Sequence, residues 1–143
     1  MKKKTLFYLV IITLFITSVF AQRASDGTDK IVVLDFESTY VAPRKIQIYL
    51  PKEYTVNPAK HFPVLYMQDG QNLFDAKTAY AGEWQIDETL DSLKAEVIVV
   101  GIEHGNEKRI DELTPFKNEQ YGGGNANNYL DFIVSNLKPY IDA

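Results

Sequence analysis

Cysteine is absent from the 143 residues, so disulfides, thiol nucleophiles and cysteine metal sites are all excluded. Histidine occurs only as His61 and His104, with no His-Glu-x-x-His motif and no pair at ligand spacing, and no metal or other cofactor is expected. Basic tracts are missing beyond Lys2, Lys3 and Lys4, and 19 Asp+Glu outnumber 15 Lys+Arg. Phosphate contacts dominate affinity for nucleic acid, so an acidic chain of this kind argues against that partner. Only one apolar run is long, Leu6 to Phe20, and no second stretch approaches a membrane span. Repeats and low-complexity tracts are also missing, and at 45% the apolar residues are too many and too evenly spread for a disordered chain.

What is present begins with the layout of an export signal. Three lysines precede the apolar run, which falls short of the ~20 residues a membrane span needs. Val19-Phe20-Ala21 then places small residues at the −3 and −1 positions of a cleavage site. Removing residues 1–21 from 143 leaves 122, and the three lysines leave with them. The mature chain then sets 12 basic against 19 acidic residues, a charge of −7. It is expected to be secreted or periplasmic and free of the membrane after cleavage. Residues 22–30 read as a short polar leader and 31–143 as the folded part. A domain near this size buries roughly two-thirds of its chain surface, enough for one core without cross-links.

Two strands come first. Ile31 to Glu37 starts β-branched, and Lys45 to Leu50 alternates, with Ile46, Ile48 and Leu50 on one face and Lys45, Gln47 and Tyr49 on the other. Period two predicts a strand with one buried face, and the short link Ser38 to Pro43 suits an antiparallel pair. Pro63 to Met67 and Val97 to Ile102 are continuous apolar runs, as in strands covered on both faces. Between them Ile86, Leu90 and Leu93 mark one helix face, giving a βαβ unit. Leu130, Ile133, Val134, Leu137 and Ile141 form a second helical stripe, expected to run out around Pro139. The order is β-β-β-α-β-α. By periodicity, both an incomplete α/β sheet with an open apolar edge and a complete small α+β domain are compatible with it.

Chemistry-bearing residues are sparse. Ser18, Ser25, Ser38, Ser92 and Ser135 include none in Gly-x-Ser-x-Gly, the turn that exposes a hydrolase nucleophile, so no catalytic residue is expected within the chain. Gly122-Gly123-Gly124 lacks the Lys-Ser/Thr of a phosphate loop. His104 reads as a solvated loop residue, and Asp87-Glu88 and Asp111-Glu112 as carboxylates on solvated faces. Asp69-Gly70-Gln71-Asn72 is more informative, because it follows directly on an apolar strand, where ligands bind in parallel α/β sheets. It reads either as an ordinary turn or as a source of free N–H groups for an oxyanion.

The block Phe62-Pro63-Val64-Leu65-Tyr66-Met67-Gln68-Asp69-Gly70-Gln71-Asn72-Leu73-Phe74-Asp75 resembles the third-strand region of the Putative esterase family of α/β-hydrolases. That group holds esterase D-like, enterochelin esterase-like and feruloyl esterase-like proteins. The resemblance continues through Trp84 and Ile86, Val97 to Glu103, Glu112-Leu113-Thr114-Pro115, Tyr121 to Gly124, and Tyr129 to Asp142. It implies the N-terminal part of an α/β-hydrolase fold, with a mostly parallel sheet and helices on both faces.

The resemblance also implies a serine carboxylic ester hydrolase with a Ser-Asp/Glu-His triad, the serine on a Gly-x-Ser-x-Gly-Gly elbow of the next strand. The sequence stops at Ala143, before all three, so the chain is expected to be a fragment without turnover of its own. By resemblance, one oxyanion-hole N–H belongs to Gln71 or its neighbour Asn72, and Trp84, Tyr121 and the loop with Thr114 line the cleft. The implied substrate is a small-molecule or carbohydrate ester: an acyl or feruloyl ester on carbohydrate, or a siderophore ester. Other readings of the sequence are an acyltransferase of the same fold and a non-catalytic secreted module that binds carbohydrate or protein.

Overall fold

The computed structural model describes residues 30–143, so the proposed export signal and most of the leader lie outside the described residues. Four strands form one sheet in the order β1-β2-β4-β3, with β1 Ile31–Phe36, β2 Arg44–Tyr49, β3 Val64–Gln68 and β4 Ile98–Ile102. The short link between β1 and β2 permits only an antiparallel pair, and Ile31 faces Tyr49 while Phe36 faces Arg44. β2 runs antiparallel to β4 as well, whereas β3 and β4 are parallel, with Val64 facing Ile98 and Gln68 facing Ile102. The α/β fold class therefore stands with one adjustment. Over the described residues the sheet is mixed, and its single parallel pair is the one joined by a helical crossover.

Helices cover both faces, and alternation along the strands divides the core accordingly. On one face Ile46, Val100 and Ile102 pack with Tyr129, Phe132 and Leu137. Those last three come from α4 Ala126–Phe132 and its continuation, and Leu113 of the short α3 Arg109–Leu113 packs on the same cluster. On the other face Tyr49 and Val99 meet Leu73 and Phe74, with Ile86 and Leu90 of α2 Ile86–Leu93 against them. α1, Glu53–Val56, is a single exposed turn before β3.

Three expectations change. β2 is buried on both faces, with Tyr49 1% and Gln47 6% exposed, because it lies inside the sheet rather than at its rim. Gln47 is satisfied there by donating Nε2–H to the Glu103 carboxylate at 2.9 Å. Leu93 is exposed at the end of α2, leaving Ile86 and Leu90 to hold that helix. The last helix does not run out at Pro139 but passes through it as α5 Lys138–Asp142. The turn before it, Ile133–Leu137, widens to a π-helix in which the Lys138 N–H bonds the Ile133 carbonyl. Pro139 lacks an N–H and crowds the preceding turn, and a π-turn is the usual accommodation.

Candidate functional site

Parallel strands end side by side, so the segments after β3 and β4 meet at one edge of the sheet. After β3, Asp69 adopts a left-handed conformation (φ 56°, ψ 44°) and Gly70–Asn72 forms one 3-10 turn. Asp is among the few side chains that tolerate this region, at a cost of about 1 kcal/mol. Gly70 is required by space: a Cβ there would stand 2.6 Å from the Gly101 carbonyl carbon of β4.

Within this turn the Asn72 N–H donates to the Asp69 carbonyl at 2.9 Å and the Leu73 N–H to Gly70 at 3.2 Å. The Gln71 N–H finds no acceptor among the described residues. The two N–H groups offered by the sequence thus differ. Asn72 has spent its donor on closing the turn, whereas Gln71 holds its donor at the start of a helical turn, where such groups stay unpaired.

The rest of Gln71 is fixed. Its carbonyl accepts the Thr78 hydroxyl at 2.7 Å, and its Oε1 accepts the His104 N–H at 3.4 Å. Asn72 ties in the following loop, its Oδ1 accepting the Tyr80 N–H at 3.0 Å and its carbonyl the Trp84 N–H at 2.8 Å. Arg109 at the start of α3 donates two bonds to the Asp69 carboxylate, 2.8 Å from Nε and 2.6 Å from Nη2. That guanidinium holds the Asp69 carboxyl below its ordinary range, against the opposing effect of burial. His104 Nδ1 accepts the Asn106 N–H at 3.0 Å.

Asp69, Gln71, Asn72, Tyr80, His104 and Arg109 line a cleft of about 340 Å³. A larger hollow of about 700 Å³ adjoins it, sharing Gln71, Tyr80 and His104 and walled further by Phe36, Glu37 and Lys45. Both volumes lie in the range of small-molecule sites. Trp84, Tyr121 and Thr114 line neither of these two clefts. Thr114 donates its hydroxyl to the Ile110 carbonyl, and the Tyr121 N–H is held by Asn118 in a tight turn.

Of the residues that line these clefts or fix their rim, sequence reasoning took His104 for a solvated loop residue, offered Tyr80 only as a contact aromatic of a binding module, and gave Thr78 and Arg109 no role. His104 was legible, because it follows β4 as Asp69 follows β3, and a parallel pair brings both to one rim. Elsewhere the carboxylates of Glu83, Asp87 and Glu88 converge within 4.8 Å, a donor set that suits a hard cation, but they line neither cleft. Burial and then the neighbouring Glu88 push the Asp87 carboxyl up to about 6, so the pair shares a proton only below that pH.

Comparison with known proteins decides the family. The Putative esterase profile matches residues 38–143. The chain belongs to that family. Among solved structures, an IroE-like serine hydrolase from Shewanella oneidensis is 28% identical with a TM-score of 0.62, over 78% of this chain and 38% of that one. A siderophore hydrolase, EstA from Aspergillus nidulans, is 18% identical with a TM-score of 0.59, over 83% of this chain and 44% of that one. A ferulic acid esterase is 23% identical with a TM-score of 0.52, over 79% and 43%. No curated protein sequence matches the chain. The chain thus spans less than half the length of these three structures, and it shares their α/β-hydrolase fold.

Proposed function

We propose that this chain is the N-terminal part of an exported serine carboxylic ester hydrolase whose nucleophile, acid and histidine lie outside these 143 residues. The observation that carries the reading is the unpaired Gln71 N–H, held at the end of parallel β3 on the floor of a cleft. Such a donor suits the oxyanion of a tetrahedral intermediate. A serine would attack the ester carbonyl, the alcohol would leave with a proton from histidine, and water would then release the acid. Gln71 would hold the oxyanion in both steps.

The substrate class follows the relatives and the hollow together. A ferulic acid esterase and a siderophore hydrolase share the fold. The larger hollow offers aromatic faces in Phe36 and Tyr80 beside hydrogen-bonding side chains, fitting an acyl or feruloyl ester on carbohydrate or a siderophore ester. Export rests on the layout of residues 1–21, and among the described residues no helix is long and apolar enough to cross a membrane.

The test is to express a longer form carrying a Gly-x-Ser-x-Gly elbow and assay it on a chromogenic acetate, a feruloyl ester and a siderophore ester. Hydrolysis abolished by serine-to-alanine substitution is the expected result, with none above background from the 143-residue chain. Turnover by the short chain, or an inert longer form, would sink the reading.

A further inference from the structure

We propose that Arg109 is a positioning residue for the oxyanion site, acting through Asp69 to aim the Gln71 N–H; this rests on the esterase reading above. The direction of that N–H is set by the Gly70–Gln71 peptide, and hence by the backbone of Asp69 one residue earlier. Asp69 sits in the left-handed region, a conformation that non-glycine residues leave unless held. The contacts on Gln71 itself, from Thr78 and from the His104 N–H, lie downstream of that hinge. Gly70 supplies a close fit against Gly101 but no bond of its own side chain. The side-chain clamp on the hinge is the two-bonded Arg109 guanidinium, whose planar fork fixes the carboxylate in orientation as well as in place.

Arg109 can act as a fixed arm because its helix is anchored. Three residues on, Glu112 is buried and accepts two bonds from Arg44 at 2.9 and 2.7 Å, tying α3 to β2. The Arg109 side chain is about half exposed at 47%, whereas Asp69 is 13% exposed. The pair therefore closes one wall of the 340 Å³ cleft with its charge neutralised internally, which suits a neutral ester better than an ionic contact to substrate. The loop after β3 and the helix after β4 become one rigid rim, and the Gln71 donor is aimed before substrate arrives.

The experiment compares R109Q, R109K and D69N with wild type in the full-length enzyme. R109Q is expected to lower kcat by roughly 10- to 100-fold, below the ~10²–10³ lost when a hole donor is removed outright. KM should stay within about twofold, and affinity for a boronic acid that forms a tetrahedral serine adduct should fall in step with kcat/KM. R109K keeps the charge but not the fork, so it should recover part of the loss, and it carries the test if R109Q does not fold. Hydrogen exchange at the Asn72 amide, whose bond to the Asp69 carbonyl closes the turn, should quicken in the same order. Unchanged kcat, a raised KM with kcat intact, or unaltered exchange at Asn72 would each overturn the proposal. A wild type without ester hydrolysis would instead overturn the underlying esterase reading, and this proposal with it.

Discussion

Arg44 enters the interior from the first position of β2 and could not stay there alone. Its side chain is 3% exposed and that of Glu112 5%, and two parallel bonds join them. The guanidinium also lies over the Tyr129 and Phe132 rings, at 5.7 and 5.5 Å from their centroids. Desolvating both charges is costly, so the pair is worth little as a net gain, but losing one partner leaves the other uncompensated. Glu112→Gln is therefore expected to cost about 3–5 kcal/mol in urea unfolding of the chain near neutral pH. A cost under about 1 kcal/mol would mean that water or another group already serves Arg44. Nothing local marks Glu112 as different from its neighbour Asp111, because its partner lies 68 residues away. Read locally, both belong to a solvated pair. In the fold, Asp111 accepts the Gly123 N–H at 2.7 Å and Glu112 goes inside.

At the scale of elements, α2 carries an internal conflict. Acidic residues at a helix start normally gain from the backbone dipole. Here Asp87 is half-buried beside Glu83 and Glu88, and its Oδ1 is buried without a hydrogen-bond partner. Burial first, then Glu88, raise its pKa to about 6. A carboxyl raised in the folded state binds its proton more tightly there than when unfolded. The resulting stabilisation is full below the unfolded value and is lost as pH rises through about 6. Asp87→Asn should therefore raise stability at pH 7 by about 1 kcal/mol, after discounting for partial solvent screening. It should also flatten the pH dependence of the melting temperature between about pH 4 and 6. Equal melting of mutant and wild type across that range would refute the proton-sharing account. The turn that widens ahead of Pro139 is the other element-level device, with Leu137 on the core before the proline and Ile141 packed against it after.

At the scale of the molecule, the order β1-β2-β4-β3 matters most. It buries β2 and β4 between neighbours and, among the described residues, leaves β3 paired on one side only. Leu65 on that strand is 48% exposed, and an apolar strand edge of this kind is a template for further pairing. Residues 22–143, produced alone, are expected to self-associate as concentration rises. Leu65→Lys should shift sedimentation toward monomer by placing a charge on the edge strand. A chain that stays monomeric at all concentrations, with or without the lysine, would show that the edge is covered. The same order brings the ends of β3 and β4 together, which is why the cleft sits where Asp69 and His104 meet.

The sequence by itself determined the four strands, the two longer helices and the family: period two and continuous apolar runs placed the strands to within a residue or two, and the Phe62–Asp75 block carried the esterase resemblance that the profile match bears out, whereas the short helices Glu53–Val56 and Arg109–Leu113 left no periodic signal. The resemblance of that block also implied an oxyanion donor at Gln71 or Asn72, in a turn after an apolar strand. Telling the bonded Asn72 N–H from the unpaired Gln71 N–H took the hydrogen bonds of the turn, and finding Trp84, Tyr121 and Thr114 outside both clefts took their shape. Gathering Tyr80, His104 and Arg109 around Gln71 took strand order and register. Those are relations between residues far apart in the chain, and they exist only once the sheet has brought its strand ends to a common rim.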